Sequence, residues 1–473
     1  MQAKVASESV NGALKVASKS VKCVPKVTSK NASNMLKRKI YSRLVKWREQ
    51  QGHKPLVVYG CRQCGKTYSV LDFAEKNYAQ VVYLNFYEHS ELKSIFSGSL
   101  SVDAIMLNIS SALHTTEEYQ PGRTCLIFDE IQECPEARTS LKFFKLDGRY
   151  DVICTGSLLG VSGYGEQPAS IPVGYETHLQ MFPLDFEEFL WANNQSDAVI
   201  DQIRQCLEQK SPVPEAIHQT MRKLLYTYTV VGGMPEAVNT FIEKNNLSLV
   251  WQCQQDILLS YRQDMLKYAK GEMKANIIDC FESIPRQLSK ENKKFQYSVI
   301  RKGGRAERYE SSLRWIEDAG IIKRSYNLEI TELPYNGHLL PDTFKVYMVD
   351  SGLFIAMLDR DTQYDVLQGK VHTYKGAIFE NLIADILTKM GRPLFYYHKE
   401  GGIELDFLLR YKGQSTPLEV KATNGNTKSL KTVLAHPEKY DVYHAIKLAD
   451  TNIGEENGIL TLPQYMAFLL TDY

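Results

Sequence analysis

No apolar stretch in the chain approaches the roughly 18 residues that a membrane-crossing helix needs, so no membrane partner is expected. The first residues lack the apolar core of a secretory leader, so none is expected. Arginine is missing from residues 1–34, which argues against a transit peptide even though the stretch is basic and serine-rich. No cysteine follows Cys280, and the nine cysteines present are odd in number and irregularly spaced. That excludes a closed disulfide framework and fits a cytoplasmic protein. One charge sign is not in excess either. The net charge is +1, so the molecule as a whole offers no electrostatic lure for an anionic partner.

That balance hides a gradient. The first fifty residues carry twelve Lys or Arg against Glu8 and Glu49 alone. Residues 1–34 have almost no Leu or large aromatic residue, and a disordered basic tail is expected. At 473 residues the chain is long enough for two to four domains.

Folded structure is expected to begin with Leu36, Ile40, Leu44 and Trp47 at helical spacing. "PLVVYG", "VVYLNFY", "TCLIFDEIQ" and "YDVICTGS" are short apolar runs ending in small or polar residues, with helical stretches between them. Strands alternating with helices predict a parallel, doubly wound α/β sheet over 35–195. Residues 196–275 read as a helical lid or linker, broken at Gly232–Gly233. Residues 276–345 run helix, Gly320 stop and strand, as a winged helix closes, and 346–473 return to a small α/β pattern.

Within the first region, "GCRQCGKT" fits G-x-x-x-x-G-K-[ST] between a strand and a helix. The loop Gly60, Cys61, Arg62, Gln63, Cys64, Gly65 should turn backbone N–H groups toward a phosphate at a helix N-terminus. Lys66 should reach the β- and γ-phosphates of ATP, and Thr67 should ligate Mg²⁺. Asp129 and Glu130 follow the third strand. They fit a magnesium-holding acid and a general base for water. Thr155 and Ser157 end the fourth strand, where they could sense the γ-phosphate. Cys61 and Cys64 also spell Cys-x-x-Cys, but zinc needs a second pair and none is present. A disulfide between them would deform the loop amides, and oxidation would then switch nucleotide binding off.

These stretches, with "LIFDEIQECPEARTSLKFF", "CTGSLLGV", "PLDFEEFL" and "VVGGMPEAV", resemble prokaryotic AAA-superfamily ATPases that carry a C-terminal domain of unknown function. "DAGIIKRSYN", "FKVYMVDSGL", "GAIFENLIA", "GGIELDFLL" and "LEVKA" are similar to that second domain, so the resemblance spans about 35–430. It implies a cytoplasmic, ATP-binding P-loop fold. The family usually has small or β-branched apolar residues where Cys61 and Cys64 stand. No arginine finger is obvious, and Arg138 and Arg149 are the candidates beside a plain ion-pairing role.

"GGIELDFLLRYKGQSTPLEVKA" places Asp406 on one strand and Glu419 and Lys421 two apart on the next, so the last two share a face. Paired as a hairpin, Asp406 and Glu419 could share a divalent ion, with Glu380 from the "GAIFENLIADIL" helix as a third carboxylate. This arrangement resembles the PD-(D/E)xK nuclease core, and a cross-strand salt bridge is the plain alternative. Lys290, Lys293, Lys294, Arg301, Lys302, Arg305, Arg308 and Arg314 are candidate DNA-phosphate contacts, or else a solvated face interleaved with Glu291, Glu307 and Glu310. Three functions remain open: an ATPase driving a DNA-interacting half, an ATP-gated scaffold with an inactive nuclease fold, and an active ATP-gated nuclease. DNA and further copies of the chain are the candidate partners.

Overall fold

The computed structural model describes residues 36–157, 174–268, 271–290, 293–370, 374–399, 402–422 and 425–471. The basic tail 1–34 and the stretch immediately after Ser157 lie outside them. The chain divides into two compact units, Met1–Met181 and Phe182–Tyr473.

Unit 1 is a five-stranded parallel sheet. Its strands are β1 (Leu56–Gly60), β2 (Gln80–Asn85), β3 (Thr124–Asp129), β4 (Asp151–Ser157) and β5 (Thr177–Gln180), in the order β2-β3-β4-β1-β5. Each apolar strand run is buried on both faces, as a parallel sheet covered by helices requires. Val57, Leu126, Phe128, Val152 and Cys154 enter the core on one face. Leu56, Val58, Cys125, Ile127 and Ile153 enter the core on the other. The alternation follows from the two-residue period of a strand.

The strand register aligns the carboxyl ends. Gly60 lies opposite Ser157, and Asn85 lies opposite Asp129. The carboxyl edge of an open parallel sheet is where such folds bind ligands. Unit 1 is therefore the α/β P-loop fold expected from the sequence.

Unit 2 begins with helices, among them Glu215–Val231, Pro235–Lys244 and Leu247–Tyr268. Helices Glu272–Leu288, Tyr297–Ile300 and Ala306–Asp318 then lead into the antiparallel pair β6 (Ile322–Leu328) and β7 (Leu339–Met348). The helix Lys375–Lys389 precedes β8 (Leu394–Lys399), β9 (Ile403–Leu405), β10 (Phe407–Tyr411) and β11 (Gln414–Val420). β12 (Ala445–Ala449), β13 (Gly454–Glu456) and β14 (Ile459–Pro463) complete a sheet ordered β10-β11-β12-β14-β13, beside a second sheet ordered β7-β6-β8-β9. The expected continuous strand "IELDFLLRY" is broken. β9 pairs with β8, β10 pairs with β11, and Asp406 is the bend where the chain passes between sheets. No helix among the described residues is long and apolar enough to cross a membrane.

Candidate functional site

In unit 1 the loop after β1 turns through Gln63 (φ 61°) and Gly65 (φ 93°) into the helix Lys66–Asn77. Positive φ at Gly65 carries no Cβ penalty. Gly60 is needed for a different reason, because a Cβ there would lie 2.1 Å from the Met181 carbonyl oxygen. Lys66 is buried, and its Nζ donates to the Gly60 carbonyl at 3.1 Å and the Cys61 carbonyl at 2.8 Å. Its ammonium thus lies across the loop it belongs to.

Asp129 is the hub. Thr67 Oγ1 donates to its two oxygens at 3.1 and 3.2 Å, and Tyr83 Oη donates at 2.6 Å. The Thr155 hydroxyl and the Asn85 amide also donate to it, the latter at 3.4 Å, and so does the Glu130 backbone N–H at 3.2 Å. Adjacent strand ends account for this convergence. β2 supplies Asn85, β3 supplies Asp129, and β4 supplies Thr155 one register step beyond the Phe128–Cys154 pair. Glu130 leaves the strand in the left-handed region (φ 53°) and accepts from the Gln132 side-chain amide. Ser157 is buried at the end of β4. The sequence pointed to Thr67, Asp129 and Thr155 but not to Tyr83 or Asn85. The signal for both was their place at the end of β2, two residues apart and so on one strand face.

The two arginine candidates are both engaged within unit 1. Arg138 forms a buried pair with Glu176 at 2.8 Å. Arg149 pairs with Asp103 at 2.6 Å and Asp147 at 2.7 Å on the surface.

In unit 2 the strand register carries Asp406 to a position opposite Glu419, one step beyond the Phe407–Leu418 pair. Asp406 accepts the Val420 N–H at 2.8 Å. Glu419 Oε1 pairs with Lys421 Nζ at 2.5 Å, while Glu419 Oε2 is buried with no hydrogen-bond partner among the described residues. Glu380 projects from the helix Lys375–Lys389 and accepts from Lys293, from the Tyr347 hydroxyl and from Lys345 at 3.1 Å. Lys345 also pairs with Glu404 at 2.8 Å.

The four residues act on one another electrostatically. Burial, then the nearby Glu380 charge, pushes the Asp406 carboxyl up to about 6. Burial disfavours the charged form of Glu380, but Lys293 and Lys345 outweigh it and hold that carboxyl down at about 2. Burial opposes the Lys421 ammonium, yet Glu419, Asp406 and Glu380 together raise it. Among the described residues, no three His, Cys, Asp or Glu side chains are gathered to hold a metal ion.

Lys293 departs from expectation. The sequence placed it on a basic face with its neighbours, but its ammonium turns to the buried Glu380 carboxylate. Arg301, Lys302, Arg305, Arg308 and Arg314 are exposed. Lys345 and Tyr347 were missed by sequence reasoning. Their signal was a lysine two residues from a tyrosine among the apolar Phe344, Val346 and Met348 that end β7.

With this geometry in hand, comparison with known proteins gives three family matches. Residues 52–190 match the AAA domain, and 222–364 and 375–465 match two domains of unknown function, DUF8612 and DUF4143. No curated protein matches the chain. Among solved structures, the chain is similar to the Walker-type ATPase of Pyrococcus abyssi, with 14% identity, 71% of this chain and 99% of that one covered, and a TM-score of 0.41. It is also similar to the ORC2 protein of Aeropyrum pernix, with 13% identity, coverage of 73% and 94%, and a TM-score of 0.33. For AMPPCP-bound DnaA of Aquifex aeolicus the values are 14%, 62% and 89%, and 0.22. Likenesses this loose carry no argument about function. The AAA match and the sheet topology together support an AAA-type P-loop ATPase fold in unit 1, and with it nucleotide binding.

Proposed function

We propose that unit 1 binds and hydrolyses ATP with Mg²⁺ in the cytoplasm, and that its nucleotide state controls a DNA-contacting surface in unit 2. The observation that carries the first half is the convergence of Thr67, Tyr83, Asn85 and Thr155 on Asp129 beside the Gly60–Thr67 loop. None of these donors carries a charge, so none of them would repel a cation at Asp129. Backbone amides of Gly60, Cys61, Arg62, Gln63, Cys64 and Gly65 would cradle phosphate. Lys66 would exchange its two carbonyl acceptors for phosphate oxygens. Thr67 and Asp129 would hold the metal, which when bound supplies neutralisation of phosphate charge. Thr155 and Ser157, at the end of β4, would sense the γ-phosphate, and Glu130 would take the proton of the attacking water. Arg138 and Arg149 are both tied within unit 1, so a homo-oligomer supplying an arginine from another copy is part of the proposal, open to sedimentation analysis. The central test is Lys66→Ala, which should weaken nucleotide binding about hundredfold or more. Binding that survives unchanged removes the assignment.

The DNA half is supported by the helix-helix-helix-hairpin order over Glu272–Met348, which a winged helix would also have, and by the exposed Arg301, Lys302, Arg305, Arg308 and Arg314. Phosphate contacts by these side chains predict sequence-blind binding that weakens steeply with salt. Salt-independent binding, or none at all, would refute it.

For the nuclease-like cluster, one observation favours the inactive reading. Glu380, which would have to share a metal, is already matched by Lys293 and Lys345. We therefore read Glu380, Asp406, Glu419 and Lys421 as a nuclease-like core whose charges are compensated internally. A metal-dependent cleavage assay on several nucleic acids, with and without ATP, tests this, and cleavage abolished by Asp406→Asn would overturn it.

A further inference from the structure

The Cys-x-x-Cys spacing inside the phosphate loop has no part in the proposed chemistry. Neither thiol is in a disulfide, and both side chains enter one buried core cluster three residues apart on the same loop. They lie beneath the loop rather than over it, in the core cluster with Leu44, Trp47, Val70, Phe73 and Met181. Cys64 is 0% exposed and its Sγ donates to the Met181 carbonyl at 3.6 Å, while Cys61 is 5% exposed and provides the pair's edge toward solvent. The backbone of each cysteine is held by a cation. Arg38 Nη1 donates to the Cys64 carbonyl at 3.0 Å, and Lys66 Nζ donates to the Cys61 carbonyl at 2.8 Å.

We propose that Cys61 and Cys64 are a redox modification site: a small peroxide converts them to a reversible disulfide within the phosphate loop, and the loop then loses its hold on nucleotide. The second half rests on the nucleotide site proposed above. The first half does not.

The electrostatics agree with the geometry. The hydrogen bond from Cys61 favours the Cys64 thiolate, burial opposes it, and Lys66 and Arg38 assist, so that this thiol is brought down to about 6. Burial pushes the thiols of Cys125, Cys134, Cys154, Cys253 and Cys280 the other way. Thiolate character decides which cysteine an oxidant attacks. The burial of the pair selects the oxidant, since hydrogen peroxide is small enough to reach a pair whose edge is 5% exposed and a bulky disulfide is not.

The Cys64 thiolate attacks one peroxide oxygen, the O–O bond breaks, and the departing hydroxide takes up the proton that Cys64 had released, forming water. Cys61 sulfur then attacks the Cys64 sulfenic sulfur. The S–S bond forms, the S–O bond breaks, and the Cys61 proton leaves with the hydroxide as a second water. Two thiols are oxidised and one peroxide is reduced. The new bond draws positions 61 and 64 together across Arg62 and Gln63, and Gln63 already sits at φ 61°. The amides that would face phosphate, and the Cys61 carbonyl that anchors Lys66, must move with it.

The test uses the full chain, purified reduced, then treated with hydrogen peroxide and afterwards with a dithiol reductant. Peptide mass spectrometry should find Cys61 and Cys64 bridged, two hydrogens lighter, and the other cysteines unbridged. Affinity for a fluorescent ATP analogue should fall about tenfold or more on oxidation and return on reduction. Cys64→Ser should bind equally before and after peroxide, whatever affinity it starts with, and Cys61→Ser should form no bridge at Cys64. Absence of the bridge overturns the modification site. A bridge that leaves affinity within about twofold overturns the switch. A reduced chain that binds no nucleotide refutes the nucleotide site, and the switch with it, while the mass measurement still decides the bridge.

Discussion

Asp129 in unit 1 and Glu380 in unit 2 are equally hidden, at 3% and 2% exposure, yet they are partnered by opposite means. Asp129 is surrounded by hydroxyls, an amide and a backbone N–H, none of them charged. Glu380 is met by two ammonium groups and one hydroxyl. Neutral donors satisfy the lone pairs of a carboxylate without cancelling its charge, so a divalent cation still gains by binding beside it. Ammonium groups do both, and a cation arriving at Glu380 must displace one of them. Two buried acids that look alike in a sequence are therefore prepared for different work.

The largest way to break this comparison lies in unit 1. If the Asp129–Glu130 pair serves hydrolysis, Glu130→Gln should lower kcat about 10²–10⁴-fold while nucleotide still binds. Phosphate release and nucleotide titration on the same sample measure both, and normal turnover would refute the assigned base. In unit 2, Lys345→Met should instead cost about 3–5 kcal/mol of stability, because it leaves Glu380 buried with half its compensation gone. Urea denaturation measures the loss. Replacing Glu380 by Leu in the same chain should recover much of it, and failure to recover would mean that Lys345 acts by packing alone.

How much of this was legible in the sequence depended on distance along the chain. The phosphate loop, the acids at the end of β3 and the Glu-x-Lys of β11 are each spelled by local pattern, since a strand's two-residue period and a helix start fix where such side chains point. The pairing of Asp406 with Glu419 was accessible too, because a tight turn at Lys412–Gly413 sets the register. What surrounds each acid was not local. Tyr83 reaches Asp129 across parallel strands 46 residues apart. Lys293 reaches Glu380 over 87 residues, out of a basic stretch whose composition pointed to solvent or DNA. Composition counts charges, and only the fold pairs them.

A smaller effect sharpens the unit 2 half through pH. Asp406 sits at about 6 in the folded chain because burial and Glu380 disfavour its charge, above the ordinary carboxylate value of about 4. The folded state therefore holds this proton more tightly, and stability is lost as pH rises from about 4 through about 6, by about 2–3 kcal/mol at most. Glu380 has the opposite sign. Its carboxyl is held at about 2, so its contribution is present above the ordinary range and is lost only as pH falls below it. Asp385, raised by burial to about 7, adds to the Asp406 trend, so the measurement is the difference between chains. Asp406→Asn should flatten the loss between about pH 4 and 6 relative to the parent chain. An unchanged slope would show that Asp406 does not carry its proton into that window.

The smallest effect is the most diagnostic. Tyr83→Phe removes one donor from Asp129 and leaves four in place: Thr67, Thr155, Asn85 and the Glu130 N–H. The carboxylate stays partnered, the Asn85 amide that also donates to Tyr83 Oη keeps Asp129, and the ring still packs, so the cost should be about 1 kcal/mol in urea denaturation, that of one net hydrogen bond. This is several-fold less than for Lys345→Met, although each substitution deletes one partner of one buried acid; the partly exposed Glu404 that Lys345 also meets adds little. The disparity is what the comparison demands. A hub of neutral donors is redundant and can lose a member, whereas a pair of ammonium groups balancing a buried charge cannot. Equal losses for the two variants would mean that donor charge makes no difference at these sites, and the distinction between Asp129 and Glu380 would fall with it.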